Sequence, residues 1–186
     1  MIAKPGVQEK ILLHLLDYAD FKEKVEVPFS LSQMGIANAV AIARSNVPRA
    51  ISGLRDQGLL VERQAHVHGV SRKRKAYFLT DSGIIAAEET WERLRQFQFR
   101  CIGSDGEALS TTLGAAHEVL PFAMRPVDII RYLDDNLILD VRPLTEDLIE
   151  RDLSKQVEKQ LVTSLGDLPR LRHFYGREKE LDNMVN

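Results

Sequence analysis

The chain has 186 residues, 44% of them apolar and 28% charged, with a formal net charge of −2. That composition is ordinary for a soluble globular protein, and the length suffices for one domain plus a smaller second one, so disorder throughout is excluded. No apolar run approaches the about 20 residues needed to cross a bilayer, and Met1 to Gly6 lacks the charged-then-apolar layout of a signal peptide. A single cysteine, Cys101, excludes an intrachain disulfide framework and any cysteine-rich zinc site. Together these features predict a cytoplasmic protein without a membrane partner or cofactor.

The small net charge hides an asymmetry. Residues 1–43 carry four basic and five acidic side chains, and residues 76–186 carry 13 basic and 20 acidic. Residues 44–75 carry eight basic side chains against Asp56 and Glu62. The excess of +6 in this short stretch is what matters for a polyanionic partner, because phosphate attraction depends on the face presented rather than on the mean. A merely solvated basic face is the alternative reading of the same charges.

In chain order, Val7 to Ala19 reads as a helix with Val7, Ile11, Leu12, Leu15 and Ala19 on one stripe. A loop with a short strand at Val25 to Val27 follows. Ser30 opens a second helix, with Gln33 at the capping-box spacing and Leu31, Met34 and Ile36 turned inward. Gly35 fits close helix packing there. After an irregular stretch from Asn38 to Ala43, a third helix is expected over about Arg44 to Gln57, burying Val47, Ala50, Ile51 and Leu54. Pro48 is tolerated only near a helix start, where backbone N–H groups lack intrahelical acceptors, so this helix begins no more than about one turn before it. Gly58 is its stop. The period then changes to two over Leu59 to Gln64 and again over Ala76 to Thr80, predicting a hairpin whose tip holds Gly69 and the cluster Arg72, Lys73, Arg74 and Lys75. Thr80 to Gly83 is a further helix start, continued from Ile84 to Phe97.

Three helices followed by a two-stranded hairpin is the winged helix-turn-helix order. In such a domain the third helix buries one face and offers the other to base edges in the major groove. Ser45, Asn46, Arg49 and Ser52 lie off the apolar stripe and are the candidate base-reading residues. Asn suits adenine and Arg suits guanine, each bidentate contact being worth about 1–3 kcal/mol of discrimination. Arg44, Arg72, Lys73, Arg74 and Lys75 are the candidate phosphate and wing contacts. The alternative is a winged helix that docks another protein, which has less need of a basic tip. His66 and His68 alternate on the first hairpin strand without an evident third ligand, and are read as solvent-facing rather than as a metal site.

The segments Leu31–Ala37, Arg44–Ile51, Leu54, Gly58–Leu60 and Tyr77–Thr80 together resemble winged-helix regulators of the MarR/IclR-like type common in archaea. The run from Ser71 to Thr80 looks like the wing's return strand in that group. The resemblance covers about 75 residues in order and spacing. It implies a DNA-binding transcriptional regulator and not an enzyme. Asn38 to Ala41 departs from it by lacking the glycine often found in the turn.

Beyond the wing, the expected organisation is a winged-helix domain with its long following helix over 7–97, a small α-rich domain over 98–165, and a linker with a further domain start over 166–186. The fold class expected is mainly α with a small β-wing. In the second part, Phe97 to Ile102 reads as a strand, Ser104 to Gly106 as a turn, Leu109 to Leu120 as a helix, Arg125 to Asp134 as a short helix and Leu137 to Val141 as an apolar run. Thr145 is placed as the N-cap of a last helix running to about Val162, with Leu144 and Ile149 spaced as a hydrophobic staple. Asp134, Asp135 and Asp140 fit a solvated helix end better than a metal site, and no catalytic constellation is present. Trp91, Leu94 and Phe97 are candidate contacts of a homodimer, or else core. Phe174 to Leu181 resembles the opening of AAA/STAND-type ATPase domains, although no phosphate-binding G-x-x-x-x-G-K-[ST] loop occurs in the 186 residues. The resemblance implies the N-terminal region of a winged-helix–ATPase regulator, with the ATPase domain as a partner downstream.

Overall fold

The computed structural model describes residues 3–68 and 72–144. The expected last helix from Thr145, the ATPase-like run 174–181 and Gly69 of the hairpin loop lie outside the described residues. Among them no helix is long and apolar enough to cross a membrane.

Helix α1, Val7–Leu16, starts where the Gly6 N–H donates to the Glu9 carboxylate at 2.8 Å. Every residue from Ile11 to Leu16 is buried. The helix is therefore central rather than an amphipathic surface element, and its sides face two different cores. It ends before the expected Ala19, where a 3₁₀ turn spans Ala19–Phe21. Strand β1 is Glu26–Val27.

The second helix opens two residues later than Ser30. Phe29–Leu31 forms a 3₁₀ turn, and α2 spans Gln33–Val40 with Ser32 as its N-cap. The Ser32 hydroxyl donates to the Phe29 carbonyl at 2.7 Å and accepts from the Gly35 N–H at 3.1 Å. A Cβ on Gly35 would stand 2.1 Å from the Phe29 carbonyl oxygen, so the close approach expected at this glycine is to the preceding turn. Ala41 closes α2 in the left-handed region, φ 52°, the conformation for which glycine is favoured.

Helix α3, Val47–Asp56, follows a 3₁₀ turn at Arg44–Asn46 and carries Pro48 in its first turn. The chain reverses at Gly58, φ 72°, into the antiparallel pair β2, Leu60–Val67, and β3, Arg74–Leu79, in register from Leu60 opposite Leu79 to Ala65 opposite Arg74. The Thr80 hydroxyl donates to the Gly58 carbonyl at 2.7 Å and accepts from the Gly83 N–H at 2.9 Å. This clasp closes the base of the hairpin and caps α4, Asp81–Leu94. The far end of β2 pairs in parallel with β1, Glu26 opposite His66 and Val27 opposite Val67.

Residues 98–144 are not α-rich. Strand β4, Gln98–Ile102, pairs with antiparallel β5, Ala108–Thr112, and with parallel β6, Ile138–Asp140; the single α-helix is α5, Pro126–Tyr132. The helix expected over Leu109 to Leu120 is instead β5 followed by a 3₁₀ turn at Ala116–Glu118. The tight turn at Gly106, φ 84°, returns the chain alongside β4, and the run Ser110-Thr111-Thr112 suits a pleated strand better than a helix. Asp134 accepts from the Asn136 and Ile138 N–H groups, each at 2.8 Å, and Asp140 pairs with Arg142 at 2.6 Å.

Two apolar clusters result among the described residues. The first joins α1, α2, α3, β2 and β3 around Ile11, Leu15, Ile36, Ile51, Leu54 and Phe78. The second joins α4, α5 and the β5-β4-β6 sheet around Leu94, Phe97, Phe99, Ile129 and Leu139. Trp91, Leu94 and Phe97 all belong to it, so they are core and not an exposed dimer surface. Full burial of an aliphatic or aromatic side chain of this size stabilises the fold by about 1.5–3 kcal/mol.

Between the clusters lies a polar seam. Arg125, just before α5, makes a bidentate pair with Asp128 at 2.7 and 3.0 Å and approaches Asp17, after α1, at 3.8 Å. The buried His14 ring donates from Nε2 to the Ser30 carbonyl at 3.0 Å and stacks at a tilt near Tyr18. Burial, then the Arg125 charge, hold His14 down to about 4. Burial pushes Asp17 up to about 7 against the pull of Arg125. Burial alone would lower Arg125, but the charge and hydrogen bonds of Asp128 raise it and keep it protonated.

Candidate nucleic-acid interface

Helix α3 owes its two faces to its apolar spacing. Val47, Ile51 and Leu54, at i, i+4 and i+7, are all buried. Arg49, Ser52 and Asp56, at i, i+3 and i+7 on the other side of the helix, are exposed. The buried face sits on α1, where Gln8 Nε2 donates to the Ala50 carbonyl at 3.5 Å. Arg44, Ser45 and Asn46 are also exposed, but they occupy the 3₁₀ turn ahead of α3 instead of its first turn. The cause is Pro48, whose ring cannot sit deeper in an α-helix. Asn46 holds the N-cap position without a side-chain hydrogen bond to the helix, so its amide is not committed to capping. The structure thus brings all four candidate base readers to the exposed side and N-terminal end of one short helix.

The candidate phosphate contacts divide into two groups. Arg44, Arg72, Lys73 and Arg74 are exposed and make no ion pair among the described residues. Lys75 is exposed as well, yet its Nζ lies 2.8 Å from Glu62 Oε1. The Glu62 hydrogen bond and charge raise the Lys75 ammonium above its ordinary value. The other Glu62 oxygen is 3.4 Å from Arg55 Nη1, in the last turn of α3. Arg63 is taken by the fold too. Its guanidinium stacks 4.6 Å from the Phe78 ring centroid and donates to the Lys22 and Lys24 carbonyls at 2.9 and 2.8 Å. Of the eight cations in residues 44–75, five are therefore without a protein counter-charge or backbone acceptor among the described residues: Arg44, Arg49, Arg72, Lys73 and Arg74.

Sequence reading missed Glu62 because pairing is a matter of register. Gln64 is the residue opposite Lys75, and Glu62 is the diagonal neighbour on the same face, within reach of a long side chain. The two histidines also part company. His66 is exposed as expected, whereas His68 is buried with its Nδ1 3.2 Å from Glu26 Oε1. The reason is β1, whose Val27 carbonyl accepts the His68 N–H at 3.0 Å and covers the end of β2. Among the described residues no group of three or more His, Cys, Asp or Glu side chains is placed to hold a metal ion.

Neither a family model nor a curated protein matches the sequence. Among solved structures, the chain is similar to the E41A mutant of ZitR from Lactococcus lactis, at 21% identity and a TM-score of 0.35 over 50% of this chain and 53% of that one. It thus spans about half the length of that protein. The C30S mutant of ZitR is similar at 17% identity and a TM-score of 0.39 over 86% and 77% of the two chains. CouR from Rhodococcus jostii RHA1, bound to p-coumaroyl-CoA, is similar at 13% identity and a TM-score of 0.36 over 86% and 76%. These are loose likenesses, and the winged-helix description rests on the element order and strand register given above.

Proposed function

We propose that the chain binds double-stranded DNA and acts as a transcriptional regulator, with α3 in the major groove and the β2–β3 hairpin on the flanking backbone. One observation carries this reading: the exposed polar side of α3 and the cations without an ion pair among the described residues belong to the same short stretch, residues 44–74. In this reading Ser45, Asn46, Arg49 and Ser52 face base edges, and Arg44, Arg72, Lys73 and Arg74 face phosphates. The reading is non-enzymatic. The resemblance of residues 174–181 to the opening of an ATPase domain extends it to a regulator whose DNA-binding part is linked to an ATPase.

The test compares two substitutions over a set of duplexes by fluorescence anisotropy. Arg49→Ala should flatten the preference among sequences, by about 1–3 kcal/mol at the position it reads. Lys73→Ala should weaken every duplex alike. If both variants bind all duplexes as the parent does, the groove assignment is wrong, and the alternative of a protein-docking winged helix takes its place.

A further inference from the structure

We infer that Glu62 is a built-in counter-charge that keeps Arg55 and Lys75 out of the DNA contact set. The inference rests on the DNA-binding reading above and specifies how that surface is limited. Glu62 sits on β2 with its side chain 21% exposed, between the end of α3 and strand β3. Its two carboxylate oxygens divide the work: Oε2 meets Arg55 Nη1 at 3.4 Å and Oε1 meets Lys75 Nζ at 2.8 Å.

Both cations are about half exposed, at 51% and 58%, so each could otherwise reach a polyanion. They sit on the two elements proposed to touch DNA, Arg55 in the last turn of α3 and Lys75 near the start of β3. An exposed ion pair of this kind adds little to stability, typically about 0–1 kcal/mol. Its consequence for a polyanionic ligand is larger. The carboxylate is fixed by its place on a paired strand, so an approaching phosphate meets a triad of net charge +1 instead of +2. To recruit either cation, the phosphate must displace Glu62 or bear its repulsion. No other acidic side chain among the described residues pairs with a cation of residues 44–75. The arrangement separates cations that fasten the wing to the helix from those that bind.

The experiment is a salt titration of random-sequence duplex binding, followed by anisotropy, for four forms of the full chain: parent, Glu62→Gln, Lys75→Met and the double variant. Glutamine keeps the shape of Glu62 and removes its charge, and circular dichroism and thermal unfolding check that each form is folded. The slope of log K against log salt changes by about −0.9 per phosphate neutralised. Glu62→Gln should steepen it by about one to two such steps. Each step makes affinity fall about three- to fourfold further over a fourfold rise in salt. Lys75→Met should leave the parent's slope unchanged, yet remove about one step in the Glu62→Gln background. The inference is overturned if Lys75→Met flattens the slope in the parent, or if Glu62→Gln leaves the slope as it was. A parent that binds no duplex overturns the DNA-binding reading itself, and this inference with it.

Discussion

The molecule handles charge in opposite ways in two places. On the outside of α3 and the wing, Arg44, Arg49, Arg72, Lys73 and Arg74 are exposed and make no ion pair among the described residues. At the seam between the two cores, Asp17 is buried, Arg125 and Asp128 are largely withdrawn from water at 13% and 21% exposed, and Arg125 pairs with both carboxylates, beside a buried His14. A charge left in water costs the fold little and remains available to a ligand. A buried charge must be compensated where it stands, and losing its partner is expensive. The difference assigns roles: the seam should control whether the two halves stay folded together, and the surface should control what they bind.

The largest effect is expected at the seam. Arg125→Met removes the cation shared by Asp17 and Asp128 and should lower stability by about 3 kcal/mol in urea unfolding, with little dependence on salt. A loss below about 1 kcal/mol would show that the seam does not fasten the two cores.

The next effect is a matter of pH. Asp17 has a raised value, so its contribution is complete below the ordinary carboxylate value of 3.8 and is lost as pH rises through about 7. His14 has a depressed value, so its contribution is complete above 6.5 and is lost as pH falls through about 4. Between about pH 4 and 6.5 the two oppose each other, and the parent's stability should be nearly flat. Each removal should expose the other: Asp17→Asn should make stability rise with pH across this window, and His14→Gln should make it fall. The slope in either case is at most about 1.4 kcal/mol per pH unit. Urea titrations at half-unit steps read it, and two variants with the parent's flat profile would contradict the opposition.

A smaller gain is expected at the turn between α2 and α3. Ala41 holds a left-handed conformation, φ 52°, so Ala41→Gly should stabilise the chain by about 0.5–1 kcal/mol, seen as a raised Tm. The smallest effect belongs to the surface. Lys73→Ala should change stability by less than about 0.5 kcal/mol while reducing duplex affinity, which separates binding charges from structural ones.

Much of the first half was readable because its signals are local. The stripe Val47, Ile51, Leu54 (with Ala50 half-buried beside it), the stop at Gly58, the alternation after it and the Thr80 helix start each depend on neighbours within a few residues, and each stands in the structure. The errors arise where distant partners decide. The capping-box spacing points to Ser30, but a 3₁₀ turn over Phe29–Leu31 moves the cap to Ser32. A helix is expected to start at Leu109, but β4 pairs residues 108–112 as a strand. Trp91, Leu94 and Phe97 show an apolar face, and whether it meets a second copy or its own chain depends on the sheet behind it. At the candidate interface, the exposed positions were legible from periodicity. The withdrawal of Lys75, Arg55 and Arg63 was not, because it follows from strand register and from a loop 40 residues away in the chain, roughly the separation of Arg63 from Lys22 and Lys24.

The most direct test of the central claim is the salt dependence of duplex binding by the parent chain. With Arg44, Arg72, Lys73 and Arg74 as the phosphate contacts, log K should fall linearly with log salt, with a slope of about −3 to −4. Binding that is absent at tens of micromolar duplex in low salt, or that is indifferent to salt, would contradict the account.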